Sequence, residues 1–372
     1  MESGPPTVPP YVAGPLQLTP FRAISLTARR VGDPASARVF ARPYRGVPQR
    51  LESWVKRGMA TRDAVPAVYL HEYTDSGLTV RGLVGCLDVS HPAATPLDRR
   101  VFPHEGVHPK QVTELANRME TMRINPAPIL LVHRGPSAIR DASRTVRTGC
   151  PEREYTDHGG QQHRIWAITD PAHLDAIDAG LADARLLVAD GHHRYAAYVA
   201  LHGRDPSEAR RSGLAMVIDQ DDTPLFLGAI HRVLHGTKLP ELLTATSTAG
   251  AEVRTINEAQ AMAALAPDTV VLTDGREWAT ARLDVPPGSA MVQLVDHFVK
   301  RLPRPPARVT FAHSVAQAIE QVRPERVTAA LLPAVDLDLV FDVVRSGALL
   351  PEKATSFQPK PSLGSFIRLL DG

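Results

Sequence analysis

The sequence predicts a mixed α/β (α+β) protein with largely antiparallel sheets and packed helices. Three observations carry this. Short alternating or all-apolar runs of strand length recur throughout, several joined by turns containing Asp and Gly. Helical patterns with Pro at their first position lie between these runs. The tail half alternates helix-like and strand-like segments, with no internal repeat and no sustained heptad. The pattern does not read as a doubly wound parallel sheet.

In order, AVYLHEY (67–73) and LTVRGLVGCLDV (78–89) read as a hairpin joined by Thr74, Asp75, Ser76 and Gly77. PKQVTELANRMETMR (109–123) reads as a helix opened by Pro109. PILLVHRG (128–135) and QHRIWAIT (162–169) read as strands, and Asp170 with Pro171 opens a helix to about residue 182. LLVADGHHRYAAYVALHG (186–203) reads as a strand, a turn and an Ala-rich helix over 194–202 stopped by Gly203. Strands are expected at 214–218 and 225–234, and a hairpin at 269–285 around Asp274 and Gly275. SAMVQLVDHFVKRL, VAQAIEQV and LDLVFDVVRSG are helical, VTAALLP is a strand, and PRPPARV separates the first of these helices from the rest.

At 372 residues the chain exceeds the roughly 250–300 residues that one core organises. The expected division is a disordered tail (1–16), an α/β domain (17–235) and a second α/β domain (236–372) that returns a Lys-containing segment to the first. Hydrophobic residues make up 43% and charged residues 22%, an ordinary globular composition. Lys and Arg number 42 against 40 Asp and Glu, so no global field attracts nucleic acid. Cys86 and Cys150 form no CxxC, which excludes a disulfide scaffold and a cysteine zinc site and suits a reducing compartment. The N-terminal stretch has no basic and then apolar pattern of a signal peptide, and no run is long enough to span a membrane. A soluble, cytoplasmic protein is expected.

The segment 190–194, DGHHR, is the first candidate site. A strand ending at a turn that opens a helix presents backbone N–H groups and the positive end of the helix dipole together, an anion site before any side chain is added. Gly191 removes a Cβ that would keep a phosphate from the backbone. Arg194 offers a planar fork for phosphate oxygens, and His192 and His193, being adjacent, point in different directions. Asp190 could hold a metal ion, orient an imidazole or accept a substrate proton. Capping explains an Asp here, but not the His-His-Arg that follows.

PHEGVHPK (103–110) contains a literal HExxH in His104, Glu105 and His108. That motif binds zinc only where both imidazoles share one face of a continuous helix. Gly106 inside it and Pro109 after it place the segment in a loop instead, entering the helix at Pro109. The loop still offers His104, Glu105 and Lys110 to a site. In EKATSFQPK (352–360), Lys353, Thr355, Ser356 and Lys360 read as a solvated strand or loop. His231 and Arg232 interrupt an apolar strand, and a two-residue period exposes one of them but not both. No GxxxxGK[ST], GxGxxG or GxSxG is present, so P-loop, Rossmann and nucleophile-elbow chemistries are not indicated.

These segments resemble an uncharacterised bacterial and archaeal family, domain-of-unknown-function family 1015. The resemblance runs through PFRA (20–23), VGD (31–33), PHE with Lys110, NPAP (125–128), HRIWAITDP (163–171), ADGHHRY (189–195), HRV (231–233) and a C-terminal K-T-F-PK pattern. Where the family carries a PPYD-like segment this chain has RPYR (42–45), so an acidic position is lost, and the C-terminal half lacks a clear Gly landmark. DGHHR is also similar to the phosphate-binding signature of the ParB/sulfiredoxin superfamily, which includes nucleotide-dependent kinases of free L-serine.

The resemblance implies a strand–turn–helix unit of that superfamily and an ATP-dependent kinase of a small hydroxyl substrate such as free L-serine. ATP, or ADP as phosphoryl donor, and Mg²⁺ are the implied cofactors. Asp190, Glu105, His104 and His193 are the catalytic candidates. Gly191, His192, His193, Arg194, Lys110, His231, Arg232, Lys353 and Lys360 would bind the nucleotide, and Asp190 and Glu105 would hold the metal. Two other classes stay open: a non-catalytic nucleotide-binding switch and a metal-dependent hydrolase. The expected partners are the nucleotide and a small acceptor, without membrane or nucleic acid, and self-association into a homodimer is left open.

Overall fold

A computed structural model describes residues 5–40, 43–135 and 137–371. Arg42 of the RPYR segment lies outside them. The chain divides into two compact units: the residues up to Leu225 together with the stretch from Pro359, and Phe226–Gln358. The sequence division at 235/236 thus meets a packing division at 225/226, and the second unit is an insertion in the first.

The first unit is built on strands β1 (Val12–Ala13), β2 (Val68–Asp75), β3 (Leu78–Asp88), β4 (Arg99–Pro103), β5 (Ile129–His133), β6 (Arg153–Thr156), β7 (Gln162–Ile168), β8 (Leu186–Asp190) and β9 (Ser212–Asp219). Besides the helices Pro34–Ala37 and Val47–Lys56, it carries α1 (Pro109–Met122), α2 (Ser137–Val146), α3 (Pro171–Leu181) and α4 (His192–Arg204). The strands lie in the order β1-β4-β8-β5-β9-β3-β2-β7-β6, with Leu18–Thr19 added against β3. β4 with β8 and β5 with β9 run parallel, and the other pairings are antiparallel. The mixed, largely antiparallel architecture is the one the sequence predicts.

The unbroken apolar run of β8 follows from its central place. Leu186, Leu187, Val188 and Ala189 are all buried, and Leu186 and Val188 lie in a core shared with Ile129, Leu131, Val101 and Tyr195. Burying each large aliphatic side chain stabilises the sheet by about 1.5–3 kcal/mol. α4 leaves the end of β8 and packs on α1. A smaller four-stranded sheet joins Ala60–Arg62, Ala23–Leu26, Ile367–Leu369 and Ile124–Asn125, so the C-terminal stretch is woven into the first unit.

Four expectations need correction. The first 16 residues are not a loose tail from residue 5 onward. Thr7 pairs with Val107, Val12 and Leu16 are buried, and the Tyr195 hydroxyl donates to the Pro10 carbonyl at 2.8 Å. The helix after DGHHR begins at His192 rather than 194 and runs past Gly203 to Arg204. The expected strand 225–234 breaks at Ile230: Phe226–Ala229 pairs with Thr355–Gln358, whereas His231–His235 enters another sheet. The polar residues Thr355 and Ser356 are buried by that pairing, not solvated.

The second unit centres on a six-stranded antiparallel sheet in the order Glu252–Ile256, Trp278–Arg282, Thr269–Thr273, Val327–Leu331, His231–His235 and Arg308–Ala312. Its core gathers Val233, Val271, Trp278, Ala329 and Leu331. Among the described residues no helix is long and apolar enough to cross a membrane.

Candidate functional site

β8 stops at Asp190 because the next residue turns the chain. Gly191 has φ +92°, a left-handed conformation that a side chain disfavours, and it caps α4. A Cβ there would lie 2.9 Å from both Nη2 of Arg194 and Cγ2 of Ile129. The glycine is therefore required by the turn and by the way Arg194 folds back over it. His192, His193 and Arg194 occupy the first turn of α4, where N–H groups and the positive dipole end face outward.

Arg194 is a brace. Its Nη1 donates to the carbonyls of Ala127 (3.2 Å) and Pro128 (2.7 Å), and its Nη2 donates to Oδ2 of Asp190 at 2.7 Å. The other carboxylate oxygen of Asp190 pairs with Nζ of Lys360, an exposed side chain on the C-terminal stretch. Two cations from distant parts of the sequence thus close on one carboxylate beside a helix N-terminus.

The loop after β4 lies alongside, because β4 and β8 run parallel and end together. The His104 N–H donates to Nε2 of His192 at 3.3 Å, and the His108 N–H donates to Nε2 of His193 at 3.1 Å. Each ring of the pair accepts at Nε2 and so carries its proton on Nδ1. Nδ1 of His192 lies 4.0 Å from Oε2 of Glu105. The His104 ring sits edge-on to His192, 4.5 Å between centroids, and hydrogen-bonds the Val188 backbone. His104 is fully buried, and that burial pushes its pKa down to about 4.

The structure therefore brings together Asp190, Gly191, His192, His193, Arg194, His104, Glu105 and Lys360. Lys110 is exposed in the first turn of α1 and shows no bond to the turn among the described residues. His104–His108 is extended, not helical, so its imidazoles do not share the helical face a zinc protease needs. Among the described residues no group of three or more His, Cys, Asp or Glu could hold a metal ion. The assignment of Asp190 and Glu105 to a cation finds no support in this geometry, since Asp190 is already engaged by Arg194 and Lys360 and Glu105 faces His192. The cations and the helix end fit a phosphate group; they do not fit a bare divalent ion.

His231, Arg232 and Lys353 belong to the second unit, where they form an internal brace. Arg232, 1% exposed, donates to Asp296 at 2.9 and 3.1 Å and to the carbonyls of Ile230, Glu352 and Lys353. Nδ1 of His231 accepts the Leu332 N–H at 3.0 Å. Burial, with Arg232 and His313 beside it, brings the His231 pKa to about 4. Both residues are inside, which is why a two-residue period could not account for the pair.

Residues that the sequence did not single out hold the Lys360 segment. The Tyr73 hydroxyl donates to the Pro359 carbonyl at 2.8 Å, and Nε2 of Gln161 donates to the Lys360 carbonyl at 3.1 Å. Oε1 of Gln161 accepts the Ser362 N–H at 3.0 Å. Beneath them Asp157, His163 and His71 form a buried chain, Oδ2 to Nε2 at 3.2 Å and Nδ1 to Nε2 at 2.9 Å. A usable signal existed: His163 lies in phase with the buried Ile165, and His71 falls inside an all-buried run.

Fold and site together define a mixed α/β protein whose central sheet ends in a glycine turn, a helix N-terminus and a carboxylate held by two cations. The chain belongs to the family described as "Protein of unknown function (DUF1015)", which matches residues 16–303. Among solved structures it is similar to SbnI with C-terminal truncation from Staphylococcus aureus, at 14% identity over 77% of this chain and 87% of that one, with a TM-score of 0.44. It is similar to a free serine kinase, a point mutant in complex with ADP, at 14% identity over 73% and 90%, TM-score 0.41. A conserved hypothetical protein from Pyrococcus furiosus is similar at 14% identity over 73% and 93%, TM-score 0.39. No curated protein matches the sequence.

Proposed function

We propose that the chain is a nucleotide-dependent phosphotransferase, an ATP-dependent kinase of a small hydroxyl-bearing substrate such as free L-serine. The observation that carries this reading is the closure of Lys360 and Arg194 on the two oxygens of Asp190 at the N-terminus of α4. Phosphoryl transfer depends mostly on positioning and on cations aimed at phosphate oxygens. Bound nucleotide would supply the phosphoryl group against the first-turn N–H groups. Lys360, whose side chain is 46% exposed, is placed to exchange Asp190 for a phosphate oxygen. Asp190, released on that side, would accept the acceptor's hydroxyl proton as the new O–P bond forms and the bond to the nucleotide breaks. Arg194 stays on Asp190 and keeps the carboxylate aimed, while the His192–His193 pair holds the Glu105 loop against the turn.

The test is phosphorus NMR of the purified chain with ATP or ADP and a panel of amino acids and small alcohols. A new phosphomonoester signal is expected with a hydroxyl acceptor, and Lys360→Met should remove it. Nucleotide binding without product from any acceptor would replace the kinase with a nucleotide-binding switch. No binding of either nucleotide would overturn the reading.

A further inference from the structure

We infer that Gln161 is the positioning residue that sets Lys360 on Asp190, assisted by Tyr73 and Asp157. The inference rests on the reading of Lys360 as a phosphate-handling cation. Lys360 is exposed between a buried Pro359 and half-buried Pro361 and Ser362, and a flexible four-carbon side chain on a loose loop would hold no fixed geometry. What fixes it is its own backbone. Three neighbouring polar groups of the main chain, the Pro359 and Lys360 carbonyls and the Ser362 N–H, are each taken by a buried side chain, Tyr73 on β2 or Gln161 just before β7. Gln161 provides two of these bonds, donating on one side and accepting on the other, so its amide acts as a short strand pairing with 360–362.

Gln161 is itself fixed. Oδ1 of Asp157 accepts the Gln161 N–H at 2.9 Å, and the Asp157 side chain also bonds Ser362. His163 and then His71 back the same carboxylate, and Tyr155 stacks on His163 at 4.7 Å. Tyr73, His71, His163, Asp157 and Gln161 are each at most 7% exposed. Side chains this buried and this directional hold one register of the 359–362 backbone, and a shift of that register by a residue would take Lys360 off Asp190.

Two variants test this in the full chain. Gln161→Met keeps the length and loses both bonds; Tyr73→Phe loses only the hydroxyl that bonds Pro359, so either carries the test if the other fails to fold. Amide exchange of the 359–365 peptide, read by mass spectrometry, should quicken by about tenfold or more in both. The ¹³Cε signal of Lys360, assigned by its loss in Lys360→Met, should move toward that of a free lysine. ATP affinity should fall about tenfold with Gln161→Met, but by less than about twofold when Lys360→Met is already present, since positioning a missing group has no effect. Unchanged exchange in both variants, or an equal loss of affinity without Lys360, would overturn the inference. Should the parent chain bind neither ATP nor ADP, the phosphate reading fails by itself. Exchange and the Lys360 signal then decide the positioning claim, faster exchange with a shifted signal upholding it and no change refuting it.

Discussion

The backbone N–H of His108 donates to Nε2 of His193 at 3.1 Å, and the ring of His108 stacks on that of His193. Four residues earlier in the loop the His104 N–H donates in the same way to Nε2 of His192, with the two rings edge-on instead of stacked. A backbone N–H cannot be an acceptor, so both imidazoles must be neutral with the proton on Nδ1. Long-range nitrogen–proton correlation spectra of the purified chain should show the Nδ1–H tautomer for both. An Nε2–H tautomer at either ring would mean that the Glu105 loop is not held this way.

Acid should loosen the fold in a defined window. The pKa of His104 is pushed down by burial to about 4, and that of His231 by burial and then by Arg232 and His313, also to about 4. Both have an ordinary value of 6.5, so between about 6.5 and 4 the unfolded chain binds more protons than the native one. Stability is complete above that window and is lost as pH falls through it, by about 3 kcal/mol per group at the acid end. His71 and His163, also lowered by burial first, act in the same direction. Urea unfolding at several pH values measures the slope, and His104→Gln should reduce it by close to one proton. A slope that His104→Gln leaves unchanged would show that His104 is not a buried neutral group.

Much of this was readable from local pattern. The hairpin at 67–89, the start of α1 at Pro109 and the strand–turn–helix at DGHHR follow from periodicity, Pro placement and the need for Gly at φ +92°. The non-helical course of the HExxH segment followed from Gly106 and Pro109. Partners 170 and 286 residues apart were not readable: nothing local says that Lys360 reaches Asp190 or that Tyr73 grips Pro359. The role of Arg194 was also hidden, because a fork suited to phosphate is equally suited to the Ala127 and Pro128 carbonyls. The break at Ile230 was not readable because FLGA runs into HRVLH without a proline or a turn-forming pair, and the two strands are separated by which sheet each joins.

Gly191→Ala should be among the most damaging single-methyl changes in the first unit. It combines a left-handed φ with a Cβ 2.9 Å from both Arg194 and Ile129. The conformational part costs about 1–2 kcal/mol, and displacing Arg194 adds to it. Chemical denaturation should show a loss of about 2 kcal/mol or more, with nucleotide binding lost as well. A variant as stable as the parent would mean that the turn has another conformation.

Arg194 and Lys360 hold opposite oxygens of one carboxylate, yet their substitutions should separate. Arg194, 22% exposed, also donates to two backbone carbonyls, and Arg194→Ala removes both bonds, leaving the Ala127 carbonyl the longer 3.5 Å bond from the Tyr198 hydroxyl. A loss of about 2–3 kcal/mol of stability is expected, and Arg194→Lys should recover little of it because one ammonium cannot span three acceptors. Lys360, 46% exposed and bonded only to Asp190 through its side chain among the described residues, should cost less than about 1 kcal/mol when changed to Met. Its effect should appear instead in nucleotide titration, as an affinity lowered by about tenfold and less sensitive to salt. Thermal unfolding and titration calorimetry on the same preparations give both readings. An Arg194→Ala protein of full stability, or a Lys360→Met protein that binds nucleotide like the parent, would assign these two cations to other work.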